Sequence, residues 1–61
     1  MLEKKFRIKS FDGYYDGEGY YKGILFSKEY DDENDALEDI KFMTTPMFGV
    51  TIEPFYENII I

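Results

Sequence analysis

The chain has 61 residues, a net charge of −6 at pH 7, and neither cysteine nor histidine. We expect one domain over residues 1–61, because compact domains are rarely divided at this size. The missing thiol and imidazole exclude disulfides, Cys/His or Ser/His nucleophilic sites and the usual transition-metal ligands. Six Phe and six Tyr nevertheless offer large apolar area for so short a chain.

The beginning of the chain carries charge instead of a continuous apolar run. Met1 is followed by Leu-Glu-Lys-Lys-Phe-Arg, which is unlike the apolar segment of a signal peptide. The longest apolar runs, at residues 24–26 and 59–61, are far shorter than the roughly 20 residues that span a bilayer. These features predict a complete small gene product that is cytoplasmic and has no contact with membranes.

Two stretches in the first half of the chain predict antiparallel strands. Residues 4–10 alternate between apolar and charged side chains, which is typical of a half-buried strand. Residues 11–23 hold four of the five glycines, and their Asp-Gly-Glu-Gly segment predicts a hairpin turn, with residues 20–28 as the second strand. A bulge near Gly13 or Gly23 would shift the register. We expect four cross-strand pairs: Ile8 with Phe26, Ser10 with Ile24, Asp12 with Lys22, and Tyr14 with Tyr20.

One short helix is predicted in the middle of the chain. Asp32 is a suitable N-cap, with Asn34 as the competing cap, and acids crowd the first turn, where the helix dipole favours negative charge. Pro46 ends the helix, because the residue before a proline avoids the helical region. The apolar stripe of this helix consists of Ala36, Leu37, Ile40 and Met43.

The last part of the chain returns to strand patterns. Residues 47–53 alternate again, and Pro54, which cannot donate to a ladder, marks an edge, a bulge or a strand end. Residues 55–61 are apolar and have high β-propensity, so a fourth strand there is an alternative. The fold class is therefore α+β: a small antiparallel sheet of three to four strands with one short helix packed on one face, in the order β-β-α-β(-β). The apolar face of the third strand consists of Phe48, Val50 and Ile52.

An acidic block holds seven of the 13 acids within residues 29–39. The plainest interpretation, and the one given most weight, is a solvated helix start with favourable dipole interactions. A second interpretation is a partner-facing surface that mimics DNA, since a basic groove built for phosphates accepts another polyanion. Metal binding by these oxygens is the weakest alternative, and we predict no metal and no cofactor. The candidate partner-binding acids are Asp31, Asp32, Glu33, Asp35, Glu38 and Asp39.

Two tyrosines and the C-terminal isoleucines are the apolar candidates for a partner surface. Tyr15 and Tyr21 are the outward members of two adjacent pairs in the expected register, and exposed Tyr is enriched at interfaces. The alternatives are that they only favour strand formation and cover a thin sheet, or that they stack single-stranded bases, for which one nearby base, Lys22, is too little. Ile60 lies in a triplet that one strand face cannot hold, which indicates exposed apolar area.

Four bases near the N-terminus, Lys4, Lys5, Arg7 and Lys9, contrast with the acidic middle. The plain interpretations are pairing within the chain or a solvated strand face, and the functional one is head-to-tail self-association. A local nucleic-acid patch is a further alternative, which the total charge of the chain opposes.

Taken together, these features favour contact over catalysis. The function predicted is a small acidic protein-binding module: an inhibitor or modulator of a larger nucleic-acid-handling protein with a basic surface, encoded by a phage or mobile element, without direct binding of nucleic acid. The alternative is a homodimer or larger homo-oligomer, a structural or accessory protein that assembles through its C-terminal edge strand.

Overall fold

The computed structural model describes residues 1–42 and 49–58. These residues form one antiparallel sheet in the strand order β3-β2-β1-β4, with one α-helix against it. The elements are β1 (Leu2–Ser10), β2 (Gly13–Tyr15), β3 (Tyr21–Lys22), a 3₁₀-helix (Ile24–Phe26), α1 (Glu33–Phe42) and β4 (Thr51–Asn58). The predicted α+β class, with a small antiparallel sheet and one short helix on one face, is confirmed.

The longest ladder joins the two ends of the described chain. β1 pairs with β4 from Leu2 opposite Asn58 to Lys9 opposite Thr51. Because side chains alternate along a strand, Ile8 and its partner Ile52 share the inner face of the sheet, towards α1. Val50, just before β4, packs against the same core, so the predicted inward positions of Val50 and Ile52 are confirmed.

Pro54 lies within β4 on the edge of the sheet, which is one of the three alternatives that its missing N–H group left open; the strand does not end there. The partner of Pro54 in β1 is Phe6, whose backbone N–H and C=O both bond with Tyr30, at 2.8 Å each. These groups of Phe6 therefore point away from β4, and the Phe6–Pro54 pair is a non-hydrogen-bonded one. The ring of Pro54 consequently replaces an N–H group that would point outward from the free edge of β4. The β1–β4 ladder therefore loses no hydrogen bond.

The hairpin register differs from the predicted one because the chain turns earlier. A tight turn at residues 11–12 pairs Ser10 with Gly13 and Lys9 with Tyr14, and a second turn then pairs Tyr14 with Lys22. Gly13 has φ 134° and lies so close to Lys22 that a β-carbon would come within 2.5 Å of its carbonyl oxygen. Only glycine allows this approach.

The second turn is the one that the glycine-rich segment predicts. Gly17 and Gly19 have φ 87° and 105°, the left-handed region that glycine favours. The Asp16 N–H group donates to the carbonyl of Tyr20 at 3.0 Å. The Oδ1 atom of Asp16 accepts from the N–H groups of Glu18 at 2.7 Å and Tyr20 at 3.2 Å.

Residues 24–26 do not continue the second strand, which corrects the prediction. They form the 3₁₀-helix, closed by a bond from the Ser27 hydroxyl to the carbonyl of Ile24 at 2.8 Å. The chain then returns to the sheet, where the Lys28 N–H group donates to Tyr15 at 2.9 Å. Ile24 and Phe26 therefore leave the inner face on which the predicted register placed them, and both are exposed.

Helix α1 covers the inner face and completes a small core. Asp32 caps it, as predicted, by accepting the Asn34 N–H group on Oδ1 at 2.9 Å. Ala36 is fully buried and Ile40 packs beside it, whereas Leu37 of the predicted stripe is 40% exposed. The buried core of the described residues consists of Ile8, Tyr30 and Ala36.

Several predictions fall on residues outside the described ranges, namely those for Met43, Pro46, Phe48 and residues 59–61. Over the described ranges, no helix has the length and apolar character needed to cross a membrane.

Candidate protein-binding surfaces

The acidic block divides according to what each carboxylate contacts. Asp31 and its neighbour Glu29 each lie 3.7 Å from the Nζ atom of Lys5. Asp39 lies 3.0 Å from the Nζ atom of Lys28, and Asp32 caps α1. These four acids therefore make contacts within the chain: ion pairs with Lys5 or Lys28, or the cap of α1.

Asp39 joins α1 to the sheet through Tyr30. The Tyr30 hydroxyl donates to Oδ2 of Asp39 at 2.5 Å, while Lys28 approaches the same oxygen. The hydrogen bond from Tyr30, together with Lys28, holds the pKa of Asp39 below its ordinary value of 3.8. Burial, the same hydrogen bond and the carboxylate charge raise the pKa of Tyr30. Asp39 is consequently a structural carboxylate.

Three carboxylates remain exposed on α1 and form what we call the acidic helix surface: Glu33, Asp35 and Glu38. Within the described ranges, no Lys or Arg nitrogen lies within ion-pair distance of them. Glu33 and Asp35 lie in the first turn, where the helix dipole stabilises them. These three carboxylates are the members of the predicted acidic site for which the described residues provide neither an ion pair nor a capping role.

The predicted outward orientation of Tyr15 is wrong. Tyr15 is half-buried and packs against the core. The turn at residues 11–12 sets this orientation: it pairs Lys9 with Tyr14 on the outer face, so the next residue points inward. Tyr21 is directly opposite Tyr15, with ring centroids 5.7 Å apart, and burial raises the pKa of its hydroxyl. Ile60, the third apolar candidate, lies outside the described residues.

The side of the sheet that faces away from α1, here called the outer sheet face, holds a layer of charges and rings. The Arg7 guanidinium lies 4.3 Å from the Phe55 ring and 5.2 Å from the Tyr14 ring. Its Nε atom donates to Glu53 at 2.6 Å, and this bond lowers the pKa of Glu53. The Arg7 side chain is only 17% exposed. For Arg7, pairing within the chain is therefore the correct alternative.

Lys5 is surrounded by acids at the other end of this layer. Besides Glu29 and Asp31, its Nζ atom is 3.4 Å from Glu57. Burial would lower the pKa of Lys5, but the hydrogen bond to Glu57 and the neighbouring negative charges raise it. Glu3 stands directly opposite Glu57 in the ladder, so two like charges face each other there.

An exposed apolar segment, here called the apolar turn, consists of Tyr20 and residues 24–26. Tyr20 is 66% exposed, Ile24 45%, Leu25 92% and Phe26 64%. The Nζ atom of Lys22 lies 5.7 Å from the Tyr20 ring and 6.0 Å from the Phe26 ring. Sequence reasoning missed this surface because it assigned the segment to a strand. The available signal was the run of three apolar residues between Gly23 and Ser27, which one strand face cannot hold.

Lys22 is held in place by Asp16. The Asp16 side chain is only 6% exposed, and its Oδ2 atom is 3.2 Å from the Lys22 Nζ atom. Backbone hydrogen bonds, first that from Glu18, lower the pKa of Asp16, and Lys22 lowers it further.

No pocket is present among residues 1–42 and 49–58, and no cluster of acids there has the arrangement of a metal site. No protein-family model, curated protein or solved structure matches this chain.

Proposed function

We propose that this protein acts by binding another protein, as a small acidic inhibitor or modulator and not as an enzyme. The observation that carries the proposal is the apolar turn, in which Leu25 is 92% and Phe26 64% exposed. Burying one such side chain contributes roughly 1.5–3 kcal/mol. A short chain that leaves this area outside its core has it available for a partner.

The acidic helix surface indicates that the partner presents a positively charged surface. Among residues 1–42 and 49–58, no Lys or Arg forms an ion pair with these three carboxylates, so they are available to attract a basic surface and accelerate encounter. A groove that binds nucleic-acid phosphates is a large basic surface, and its Lys and Arg side chains can accept carboxylates in place of phosphates. The proposed partner is thus a larger nucleic-acid-handling protein in the cytoplasm, and a phage or mobile element is the proposed source. The net charge of −6 disfavours direct binding of nucleic acid.

The charge contribution can be tested with two variants of equal charge. One combines Asp35→Asn with Glu38→Gln on α1, and the other combines Asp12→Asn with Glu18→Gln at exposed turn positions. Each is immobilised and compared with the wild type for retention of proteins from the host lysate at two salt concentrations. Any retained protein is then challenged with duplex DNA.

The proposal expects the α1 variant to retain less partner and to lose salt dependence, while the turn variant behaves as the wild type. Duplex DNA should release the partner. Equal retention of the partner by both variants would show that the acidic helix surface does not bind it. A partner that duplex DNA does not release would contradict the proposal that this surface mimics DNA.

The apolar contribution is tested by Leu25→Ser, with Leu2→Ser as its control. Leu2 is an exposed leucine too, at 66%, but it lies at the start of β1, outside the apolar turn. Exposed substitutions of this kind change stability by about 0.5 kcal/mol or less. Leu25→Ser should abolish retention even at high salt, where charge steering is screened. Unchanged retention would remove the apolar turn from the proposal.

The alternative function is a homo-oligomeric structural or accessory protein, favoured by the free edge of β4. β4 pairs only with β1 among the described strands, so one side of its backbone is available. Pro54 removes a donor in the middle of this edge, which weakens pairing with a second copy and makes this the second choice. Tyr56→Pro would remove another N–H donor from the free edge of β4 and should therefore dissociate such an oligomer. An oligomer that this substitution leaves intact would exclude assembly through the β4 edge.

A further inference from the structure

The outer sheet face carries opposite charges at its two ends. At one end, Glu3 is directly opposite Glu57. At the other end, Lys9 is opposite Tyr14, and Tyr14 is opposite Lys22. Lys9 and Lys22 are both exposed. They lie on the same side of the sheet as the two glutamates, because Glu3 and Lys9 are an even number of residues apart on β1 and directly paired residues share a face.

The negative end has more acid than its own base can neutralise. Among the described residues, Lys5 lies 3.4–3.7 Å from Glu29, Asp31 and Glu57, and the Met1 ammonium donates to the neighbouring Asn58. With Glu3, four carboxylates therefore share two cations at this end. Like charges directly opposite each other destabilise an antiparallel pair. An additional cation from outside the chain would therefore be favourable at this end.

The positive end offers such cations. The Nζ atom of Lys9 lies 5.9 Å from the Tyr14 ring, and no carboxylate of the described residues lies within ion-pair distance of it. The side chain of Lys22 is 49% exposed although it pairs with Asp16. The half-buried Tyr14 ring lies beside Lys9 at the positive end, and the half-buried Phe55 ring is opposite Lys5, towards the negative end. Both rings supply apolar contact.

We propose that a second copy of this chain packs on the outer sheet face, antiparallel and related by a two-fold axis. In this arrangement Glu3 and Glu57 of each copy meet Lys9 and Lys22 of the other. A two-fold interface uses the same patch on both copies, so each contact occurs twice. Glu3 and Lys9 are six residues apart on β1, which is about 20 Å and sets the length of the patch.

This dimer is distinct from the edge-strand assembly and goes beyond the proposed function. It leaves the free edge of β4 uncovered. Helix α1 lies on the opposite side of the sheet, so the dimer would present two acidic helix surfaces, one on each outer side. The patch is about 20 Å long and lies on a four-stranded sheet roughly 20 Å wide, because neighbouring strands are about 4.8 Å apart. It is therefore smaller than a standard interface of about 800 Å² per partner, and the dimer is weak and sensitive to salt.

Charge exchange between two variants tests the arrangement. The first combines Lys9→Glu with Thr51→Glu, which faces Lys9 across the β1–β4 ladder. The second combines Glu3→Lys with Glu57→Lys. Lys4→Glu with Asn34→Glu is the control for the first variant, because it makes the same change in charge at exposed positions off this face. Sedimentation equilibrium up to about 1 mM protein, at about 20 mM and about 500 mM salt, gives the oligomeric state.

The wild type and the control should dimerise reversibly, with dissociation constants that rise at least tenfold at the higher salt. Each exchanged variant alone should be monomeric, because like charges then meet at both ends. An equimolar mixture of the two should form a heterodimer, because both ends are complementary again. A wild type that stays monomeric, or a mixture that does not associate, would overturn the proposal.

Dilution of the wild type, followed by amide chemical shifts, keeps the test decisive if a variant does not fold. The expected changes lie on Glu3, Lys9, Lys22 and Phe55, with none on α1. Shift changes confined to α1, or confined to β4 edge amides such as Ile52 and Tyr56, would overturn the outer-face dimer. Amide shifts that do not change on dilution would overturn it as well.

Discussion

The two sides of the sheet are stabilised by different physics. The inner side buries Ile8, Tyr30 and Ala36 against α1. The outer side holds Arg7 and Lys5 at 17% and 21% exposure, among rings and carboxylates. In a chain too short for two hydrophobic layers, the second side of the sheet is covered by side chains that combine an apolar stem with a charge.

This difference determines how each side responds to perturbation. Apolar burial is non-directional and depends on volume, so the inner side is sensitive to deleted methyl groups and insensitive to salt. Exposed ion pairs contribute little individually and are screened. The outer side should therefore respond to pH and salt, and only weakly to single substitutions.

The largest effect is expected for Ile8→Ala, which truncates the one large side chain that is completely buried among residues 1–42 and 49–58. Ile→Ala in a core costs about 2–5 kcal/mol, comparable with the roughly 3–5 kcal/mol that a core of this size supplies. Chemical denaturation should find the variant largely unfolded in water. The matched control is Leu2→Ala on the same strand, 66% exposed, which should lower the free energy of unfolding far less. Similar losses for both would contradict a core centred on Ile8.

The next effect tests the contact that ties α1 to the sheet. Tyr30→Phe keeps the buried ring and removes the hydroxyl that donates to Asp39. Loss of a hydrogen bond to a charged group should lower the free energy of unfolding by about 1.5–3 kcal/mol, with the lower end expected because Lys28 still approaches Asp39. Tyr56→Phe, at a 64% exposed ring, is the control and should change little. An unchanged unfolding midpoint for Tyr30→Phe would contradict the role assigned to this bond.

Local signals in the sequence predicted the elements whose causes are themselves local. The Asp32 cap, the inward Ala36 and Ile40, the turn with Gly17 and Gly19, and the edge position of Pro54 each follow from one or two residues. The alternating strands likewise follow from the side-chain period of two.

The register of the hairpin and the faces of its residues could not be predicted from these local signals. They depend on where the chain first turns, and an additional turn at residues 11–12, before the predicted one at residues 16–19, moves Tyr15 to the inner face. The long β1–β4 ladder joins the two ends of the chain, for which no local pattern exists. For the same reason the positions of the acids relative to Lys5 and Lys28, and hence the reduced acidic helix surface, required the structure.

The third prediction concerns acid pH. The fold lowers the pKa values of Asp39 and Glu53 below their ordinary values of 3.8 and 4.5, so the unfolded chain binds more protons in this range. Their contribution is complete above these ordinary values and is lost as the pH falls through the lowered pKa values. Denaturation between about pH 6 and pH 2 should follow this loss. Glu53→Gln should make the fall shallower by less than about 1 kcal/mol, since the pair is partly exposed. An identical pH profile in this variant would show that Arg7 does not stabilise the carboxylate.

The smallest effect has the opposite sign and tests whether the outer side is arranged for this chain alone. Glu3→Gln removes one of two like charges that face each other across the β1–β4 ladder, which should raise the free energy of unfolding of the monomer by about 0.2–1 kcal/mol. Glu18→Gln, an equal change at an exposed turn, should have less effect. If Glu3→Gln also weakens self-association, the repulsion is a cost to the monomer that contact with a second copy offsets. A destabilised Glu3→Gln monomer would instead mean that the attraction between Glu3 and Lys5 outweighs the repulsion between Glu3 and Glu57.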